Sequence, residues 1–260
     1  MIESLLANAF AGDLRRHPAS FGFDDESLAR MTDARDVLTR LLALLDDRSA
    51  GNRIDVSHLD ADNRAVLDQI LGQGEVAALI GAEDDPDAIR VQEAVMAGVW
   101  RVHGAGHDHI EVGGIPAVVR EAVRKLPRAT PVIPESLPEG AMNVLPVLAE
   151  IRDVLADPAV PNGAHEINLT LLPMTPVDLQ VLADALGTGP ITILSRGYGN
   201  CRVQASACRN VWRLTFFNSE DKMILDMLQV GDVPQAAQAA NEDIAEAPAR
   251  LRDIMDAYFP

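Results

Sequence analysis

The sequence predicts an α+β fold, built by internal duplication of an α/β module with mostly antiparallel strands and flanking helices. Three observations predict it. First, three blocks recur in one order. Gly72-Gln73-Gly74-Glu75-Val76, Val99-Trp100-Arg101-Val102 and Val112-Gly113-Gly114-Ile115-Pro116 are answered by Gly187-Thr188-Gly189-Pro190-Ile191, Val211-Trp212-Arg213-Leu214 and Val230-Gly231-Asp232-Val233-Pro234. The first glycine precedes the tryptophan by 28 residues in one copy and 25 in the other, and these are the chain's 2 tryptophans. Second, Arg53-Ile54-Asp55-Val56 and Glu166-Ile167-Asn168-Leu169 alternate with the period of a half-buried strand. Third, an apolar stripe at helical spacing precedes each. Val37, Leu38, Leu41, Leu42 and Leu45 form one, and Val144, Leu145, Leu148, Ile151 and Leu155 the other. A fixed order of similar blocks is the mark of a repeated structural unit.

The boundaries follow. Residues 1–30 read as an N-terminal helical arm, 31–126 as the first repeat, 127–140 as a linker and 141–260 as the second repeat. The linker holds Pro127, Pro131, Pro134 and Pro138, which no regular helix accommodates, so it reads as stiff and extended. Within a copy the order is helix, strand, helix, several strands, helix. The second helix of copy one runs from about Asp60 to Leu71 and stops at Gly72. Its counterpart has Thr175 as cap, Pro176 at the first position and Asp178 in the first turn, and ends at Gly187. Strands then flank turns at Gly81–Asp87 and Gly197–Asn200. Trp100 with Val102, and Trp212 with Leu214, share a strand face, which reads as the core face. His103–His107 reads as a hairpin, matched by the longer Phe217–Lys222. A proline-initiated helix closes each copy, from Pro116 and from Pro234.

Charge excludes some functions. Acidic residues number 39 against 22 basic, a net charge of −17 over 260 residues. Such a chain repels the phosphate backbone of nucleic acid and the surface of anionic membranes. With 48% hydrophobic and 23% charged residues it is not a disordered chain. Glu3 and the lack of an N-terminal basic cluster argue against a secretory signal. Arg15-Arg16 is followed by His17-Pro18 and no apolar stretch, which argues against an export signal. No apolar run reaches the roughly 18 residues of a membrane span. The 2 cysteines make no disulfide framework. The reading is a cytoplasmic protein without membrane insertion.

Few residues suggest chemistry. The glycine pairs follow a helix and precede a strand, the reverse of a phosphate-binding loop, so they read as plain turns. A three-residue loop between His103 and His107 would let His103, His107 and His109 converge on a metal. Polar hairpin-end residues are the plainer reading, since copy two has no counterpart histidines. Cys201 and Cys208 are seven apart and point to opposite faces of one continuous strand. Each reads as a small buried hydrophobe, with Cys201 the better functional candidate because it follows a glycine-rich turn. Glu83, Asp84, Asp85 and Asp87 lack calcium-loop spacing and read as a solvated turn. The sequence supplies no persuasive catalytic constellation, and no cofactor is expected.

The second copy resembles the C-terminal region of the HupH/HyaF hydrogenase expression proteins. Carrying the resemblance are Arg196-Gly197-Tyr198-Gly199-Asn200-Cys201-Arg202, Asn210-Val211-Trp212-Arg213, Phe217-Asn218-Ser219, Ile224-Leu225, Val233-Pro234, Glu242-Asp243-Ile244, Arg250-Leu251 and Leu172-Pro173-Met174-Thr175. It covers Ile167 to about Ile254, and Ile54 to Ala122 resembles a weaker version of the same module. Gln229 and Asp226 depart from the family pattern, which has an acidic residue at the first place and often Asn at the second. The resemblance implies a non-enzymatic accessory chaperone in the maturation of a [NiFe] uptake hydrogenase. It implies, as partners, the precursor of the small iron–sulfur subunit before twin-arginine export and a thioredoxin-like accessory protein. The expected contact residues are Arg196, Gly197, Tyr198, Gly199, Asn200, Cys201, Arg202, Asn210, Trp212 and Arg213. A metal or iron–sulfur carrier using Cys201 is the alternative, and an enzyme with a concave small-molecule pocket a third reading.

Overall fold

A computed structural model describes residue 28 and residues 30–47, 51–157, 164–197 and 199–259. The expected arm, residues 1–30, lies outside these apart from Leu28 and Arg30, and Tyr198 lies outside them too. The fold is α+β, with helices flanking antiparallel strands. It divides into two compact units, each drawn from more than one stretch of chain.

Unit one takes its described residues from Met1–Gly74, Ala82–Gly114 and Ala240–Pro260. Helix α1 (Thr32–Asp46) buries Val37, Leu38, Leu41 and Leu45 of the predicted stripe, and the fifth member, Leu42, packs half-buried against the same core. Strand β1 (Arg53–Asp55) leads to α2 (Ala61–Leu71). The Asp60 carboxylate caps α2 by accepting from Asn63 N at 2.8 Å. Asn63 is itself buried, and its Oδ1 accepts from Ala34 N at 3.0 Å, which ties the start of α1 to α2. Strands β3 (Ile89–Glu93), β4 (Val99–Gly104) and β5 (His107–Val112) pair in sequence, and β5 also pairs with β1. Helix α6 (Asn241–Tyr258) packs on α1, so Ala247 and Leu251 enter the same apolar core as Leu38, Leu41, Val99 and Ile110. Arg252 bonds the Asp46 carboxylate from the exposed side.

Unit two takes its described residues from Glu75–Gly81 and Ile115–Ala239. Strand β2 (Val76–Ile80) pairs antiparallel with β7 (Thr188–Ser195), from Val76↔Ser195 to Ile80↔Ile191. The ladder continues through β8 (Asn200–Ser206), β9 (Val211–Phe217) and β10 (Met223–Gly231) to β6 (Ala164–Asn168). Helix α3 (Ala117–Arg124) packs on β7. Helices α4 (Val144–Ala156) and α5 (Pro176–Leu186) cover Ile167, Val211, Leu228 and Val230. Segment 127–140 carries no long helix or strand. It is fastened to the unit, because Arg128 N donates to Ala207 O, Arg209 N to Arg128 O and Val132 N to Ala185 O.

The glycine pairs prove to be turns of one design. Gly72 and Gly187 cap α2 and α5 with φ of +57° and +66°, where a side chain would be strained. Gly74 and Gly189 lie where another backbone passes. An added Cβ would stand 2.2 Å from Ala94 O in the first case and 2.3 Å from Ser206 O in the second.

Three expectations need correcting. Pro234 starts only a short 3₁₀ turn, Gln235–Ala237. Gln238 is extended, and the long helix begins at Asn241. The hairpin after His103 has two loop residues, not three. Ala105 and Gly106 both have positive φ, which makes the tight turn that matches strand twist. The shorter loop pairs His103 with Asp108 and Gly104 with His107. Finally, Cys208 lies beyond the end of β8, so it shares no continuous strand with Cys201.

Candidate functional site

Two of the resemblance blocks, at Arg196–Arg202 and Phe217–Ser219, meet at one end of three strands in unit two. Asn200 at the start of β8 pairs with Phe217 at the end of β9, which pairs with Met223 at the start of β10. The loop before Asn200 therefore sits at the same end of the sheet as the Phe217–Met223 turn. Its geometry is set by small residues. Arg196 N donates to Glu75 O at 3.0 Å, and Gly197 bridges Gly199. A Cβ on Gly197 would stand 2.3 Å from Glu75 Oε2, so only glycine lets that carboxylate lie over the loop. In the following turn, Asn218 Oδ1 accepts from Glu220 N and Lys222 N.

The other expected contact residues are not gathered there. Cys201 is buried opposite Ser195 and Phe216. Burial pushes its thiol up to about 12, which disfavours the reactive thiolate. Trp212 is in the core and pairs with Ala205 and Gln229. Asn210 makes the tight turn before β9, with φ of +60°, and its carbonyl accepts from Gly231 N. Arg202 pairs with Leu194 and Thr215. Arg213 grips Asp226 with two bonds, Nε to Oδ1 at 2.9 Å and Nη2 to Oδ2 at 2.6 Å. The Asp226 bonds raise the Arg213 guanidinium above its ordinary value against the opposing effect of burial. Asp226, one of the departures from the family pattern, thus has a defined structural partner. Gln229, the other, is buried where an unpaired carboxylate would be costly.

The histidines do not converge. His103 faces Asp108, with Nδ1 at 4.0 Å from Oδ1. His107 and His109 alternate to the opposite face of β5, their ring centroids 5.6 Å apart. His109 is buried, with Nε2 at 3.6 Å from Glu111 Oε2. Among the described residues no three of His, Cys, Asp and Glu are grouped to hold a metal ion. Glu83, Asp84, Asp85 and Asp87 form an exposed turn.

One feature of the site has no signal in the sequence. Leu171, Leu172, Met223 and Ile224 are exposed, and so are Met142 and Leu145. The turn Leu169–Leu171 packs on β10, and Thr170 Oγ1 donates to Asp226 O and accepts from Asp226 N. Asn143 Nδ2 donates to Pro173 O at 2.8 Å, which brings the start of α4 against the chain that follows the turn. Leu172 and Ile224 stand within the resemblance blocks, but an apolar letter does not say whether its side chain is inside or outside.

Comparison with known proteins bears on the same region. Residues 141–258 match the family model described as HupH hydrogenase expression protein, C-terminal conserved region. The chain is 45% identical over 228 residues to the hydrogenase expression/formation protein HupH of Rhizobium leguminosarum bv. viciae, covering 85% of this chain and 80% of that one. It is 41% identical over 239 residues to the hydrogenase expression/formation protein HoxQ of Cupriavidus necator, covering 89% and 84%. The hydrogenase-1 operon protein HyaF of Escherichia coli K12 is more distant, 32% identical over 211 residues, covering 77% and 71%. A solved structure titled hydrogenase expression protein HupH, from Thiobacillus denitrificans, aligns at a TM-score of 0.41 and 30% identity, covering 44% of this chain and 96% of that one.

Proposed function

The chain belongs to the HupH family of hydrogenase expression/formation proteins, and on that premise we propose that it is an accessory chaperone in the maturation of a [NiFe] uptake hydrogenase. Its client in this reading is the precursor of the small iron–sulfur subunit, held in the cytoplasm before twin-arginine export. A thioredoxin-like accessory protein of the same pathway is the second partner. The work is holding and release, and no catalytic step is assigned to any residue.

The observation that carries the reading is the charge of −17 on a chain of this family. A strongly acidic surface attracts a basic segment and speeds its capture, as an arginine-bearing export segment requires. The burial of Cys201 favours this reading over a carrier that binds metal through sulfur. No helix among the described residues is long and apolar enough to cross a membrane. The reading keeps residues 31–126 and 141–260 as two related modules, and the matched close approaches at Gly74 and Gly189 support that relation.

The test is capture of the full chain, under native conditions, from cells assembling a hydrogenase. Mass spectrometry should find the small-subunit precursor with its export segment still attached. Recovery of mature small subunit alone, or of no hydrogenase component, would contradict the reading.

A further inference from the structure

We propose that the half-open sheet face around Arg202 in unit two is a docking site for an extended acidic segment of another protein, with the Arg202 guanidinium taking a carboxylate. The inference goes beyond the chaperone reading and does not depend on it.

The first observation is a sheet face that the fold leaves half-covered. Side chains alternate between the two faces along β7, β8 and β9. Ile193, Val203 and Leu214 pair across the three strands and are buried. Leu194, Arg202 and Thr215 pair in the next row, on the opposite face, and are half-buried. Asn200 and Phe217, the next pair on that face toward the end of the sheet, are half-buried as well. Helices α4 and α5 close the same face further along, around Val211 and Leu228.

The second observation is a set of donors on this face that lack acceptors. Arg202 Nε is buried and has no hydrogen-bond partner. The terminal nitrogens of Arg202 have none among the described residues either, but they are not enclosed and so face solvent. Thr215, directly opposite Arg202, and Asn200, two residues before it, also make no side-chain hydrogen bond among the described residues. The neighbouring polar side chains are engaged. Gln204 bonds Thr192, Gly189 O and Ile191 O, and Arg213 grips Asp226. A guanidinium, a hydroxyl and a carboxamide without acceptors fit a carboxylate, which accepts two N–H groups of one arginine at once.

Charge selects the occupant. Asp226, beyond Thr215 in the same row, is held by Arg213 and by Thr170, and Glu220 is paired with Lys222 at 2.8 Å. Glu75 and Asp221 stand at the rim, Glu75 over Gly197 and Asp221 in the turn after Phe217. On the face itself the charge left without a counterion is the positive one of Arg202, and exposed Arg196 follows at the end of β7. Charges further off than about 8 Å are largely screened at physiological salt, so the net charge of −17 does not govern this contact. Arg196 lies diagonal to Arg202, a spacing of about 7–8 Å in a sheet. Alternate residues of an extended chain are about 7 Å apart, so acidic residues at alternate positions meet both arginines.

The test titrates the full chain with a short labelled peptide of alternating glutamate and threonine, and with a control in which every glutamate is glutamine. The glutamate peptide should bind, and the glutamine peptide at least about tenfold more weakly. Arg202→Gln should weaken the glutamate peptide by a similar factor, and Arg202→Lys, which keeps the charge but not the planar fork, by less. Thr215→Val, which keeps the shape of the strand, should also weaken it, and it supplies the reading if Arg202→Gln fails to fold. Arg152→Gln, at an exposed position on α4, should change nothing. In nuclear magnetic resonance the Arg202 Nε–H signal should shift on adding the glutamate peptide. Equal binding of the two peptides, an affinity unchanged in both Arg202→Lys and Thr215→Val, or tighter binding of a labelled oligothymidine than of the peptide would overturn the proposal.

Discussion

Asp178 Oδ1 accepts from Asn143 N at 2.9 Å, so a carboxylate in the first turn of α5 holds the first turn of α4. The same oxygen accepts from Met142 N and Val144 N, at 2.8 and 3.1 Å. The other oxygen accepts from Thr175 N and Thr175 Oγ1, completing a capping box. One buried side chain thus satisfies donors at two helix starts and lies at the positive end of both. Asp178→Asn puts amide hydrogens where an acceptor oxygen stood, whichever way the group turns. A loss of about 3 kcal/mol in urea unfolding is expected. An unchanged midpoint would show that the donors find other partners.

The same carboxylate sets a pH dependence. Burial pushes it up, but the N–H bonds from Thr175, Asn143 and Met142 prevail and lower it from 3.8 to about 2. A group lowered on folding stabilises the fold above its unfolded value and loses that contribution as pH falls through its folded value. The stability gap between the parent and Asp178→Asn should be full above 3.8 and shrink as pH falls toward about 2. A gap that stays constant across that window contradicts the assignment.

Arg213 and Asp226 form an unequal pair, because the arginine side chain is 43% exposed and the aspartate 6%. Removing the arginine strands a buried carboxylate, while removing both leaves nothing unpaired. Arg213→Met should cost about 2 kcal/mol, and adding Asp226→Asn should recover at least half of it. A strictly additive double variant would mean that the two residues do not share this interaction.

Gly74→Ala and Gly189→Ala should each cost about 2 kcal/mol or more, because the new methyl meets a backbone carbonyl oxygen, that of Ala94 just after β3 or that of Ser206 at the end of β8. Gly106→Ala meets nothing within 4 Å and carries only the strain of a φ of +78°, about 1 kcal/mol. The ranking is read from thermal unfolding. A reversed order would place the difficulty in backbone strain rather than in space.

Cys201 should resist iodoacetamide in the native protein at pH 8 and react on unfolding, since its thiol is buried and pushed up to about 12. Cys201→Ala should retain accessory function in hydrogenase-producing cells. Rapid native alkylation, or loss of hydrogenase activity with normal protein level, would restore the sulfur-based reading.

How much of this the sequence carries depends on the range of the interaction. The α1 stripe at Val37, Leu38, Leu41 and Leu45 and the Thr175, Pro176 and Gly187 punctuation of α5 are local signals, and the structure reproduces both. The hairpin after His103 is one loop residue shorter than its sequence suggests, because a tight turn is set by two positive φ values at Ala105 and Gly106, and only the second is a glycine. Pro234 opens a 3₁₀ turn instead of the expected helix, because the φ that its ring fixes suits both. In the candidate site, the Arg196–Asn200 loop was legible from its glycines. The burial of Trp212 and of Cys201 was legible too, from the strand alternation with Leu214 and from the apolar character of a lone cysteine, and the structure buries both. The exposure of Leu171 and Ile224 was not, since it follows from β6 ending at Asn168 before it reaches them.

The central claim is that the chain recognises a basic precursor segment. Its most direct measurement is calorimetric titration of the purified full chain with the small-subunit precursor and with the same subunit lacking its export segment. The account predicts binding of the precursor that weakens steeply as salt is raised, with at least about tenfold weaker binding of the shortened subunit. Equal affinity for the two forms, or affinity indifferent to salt, would contradict it.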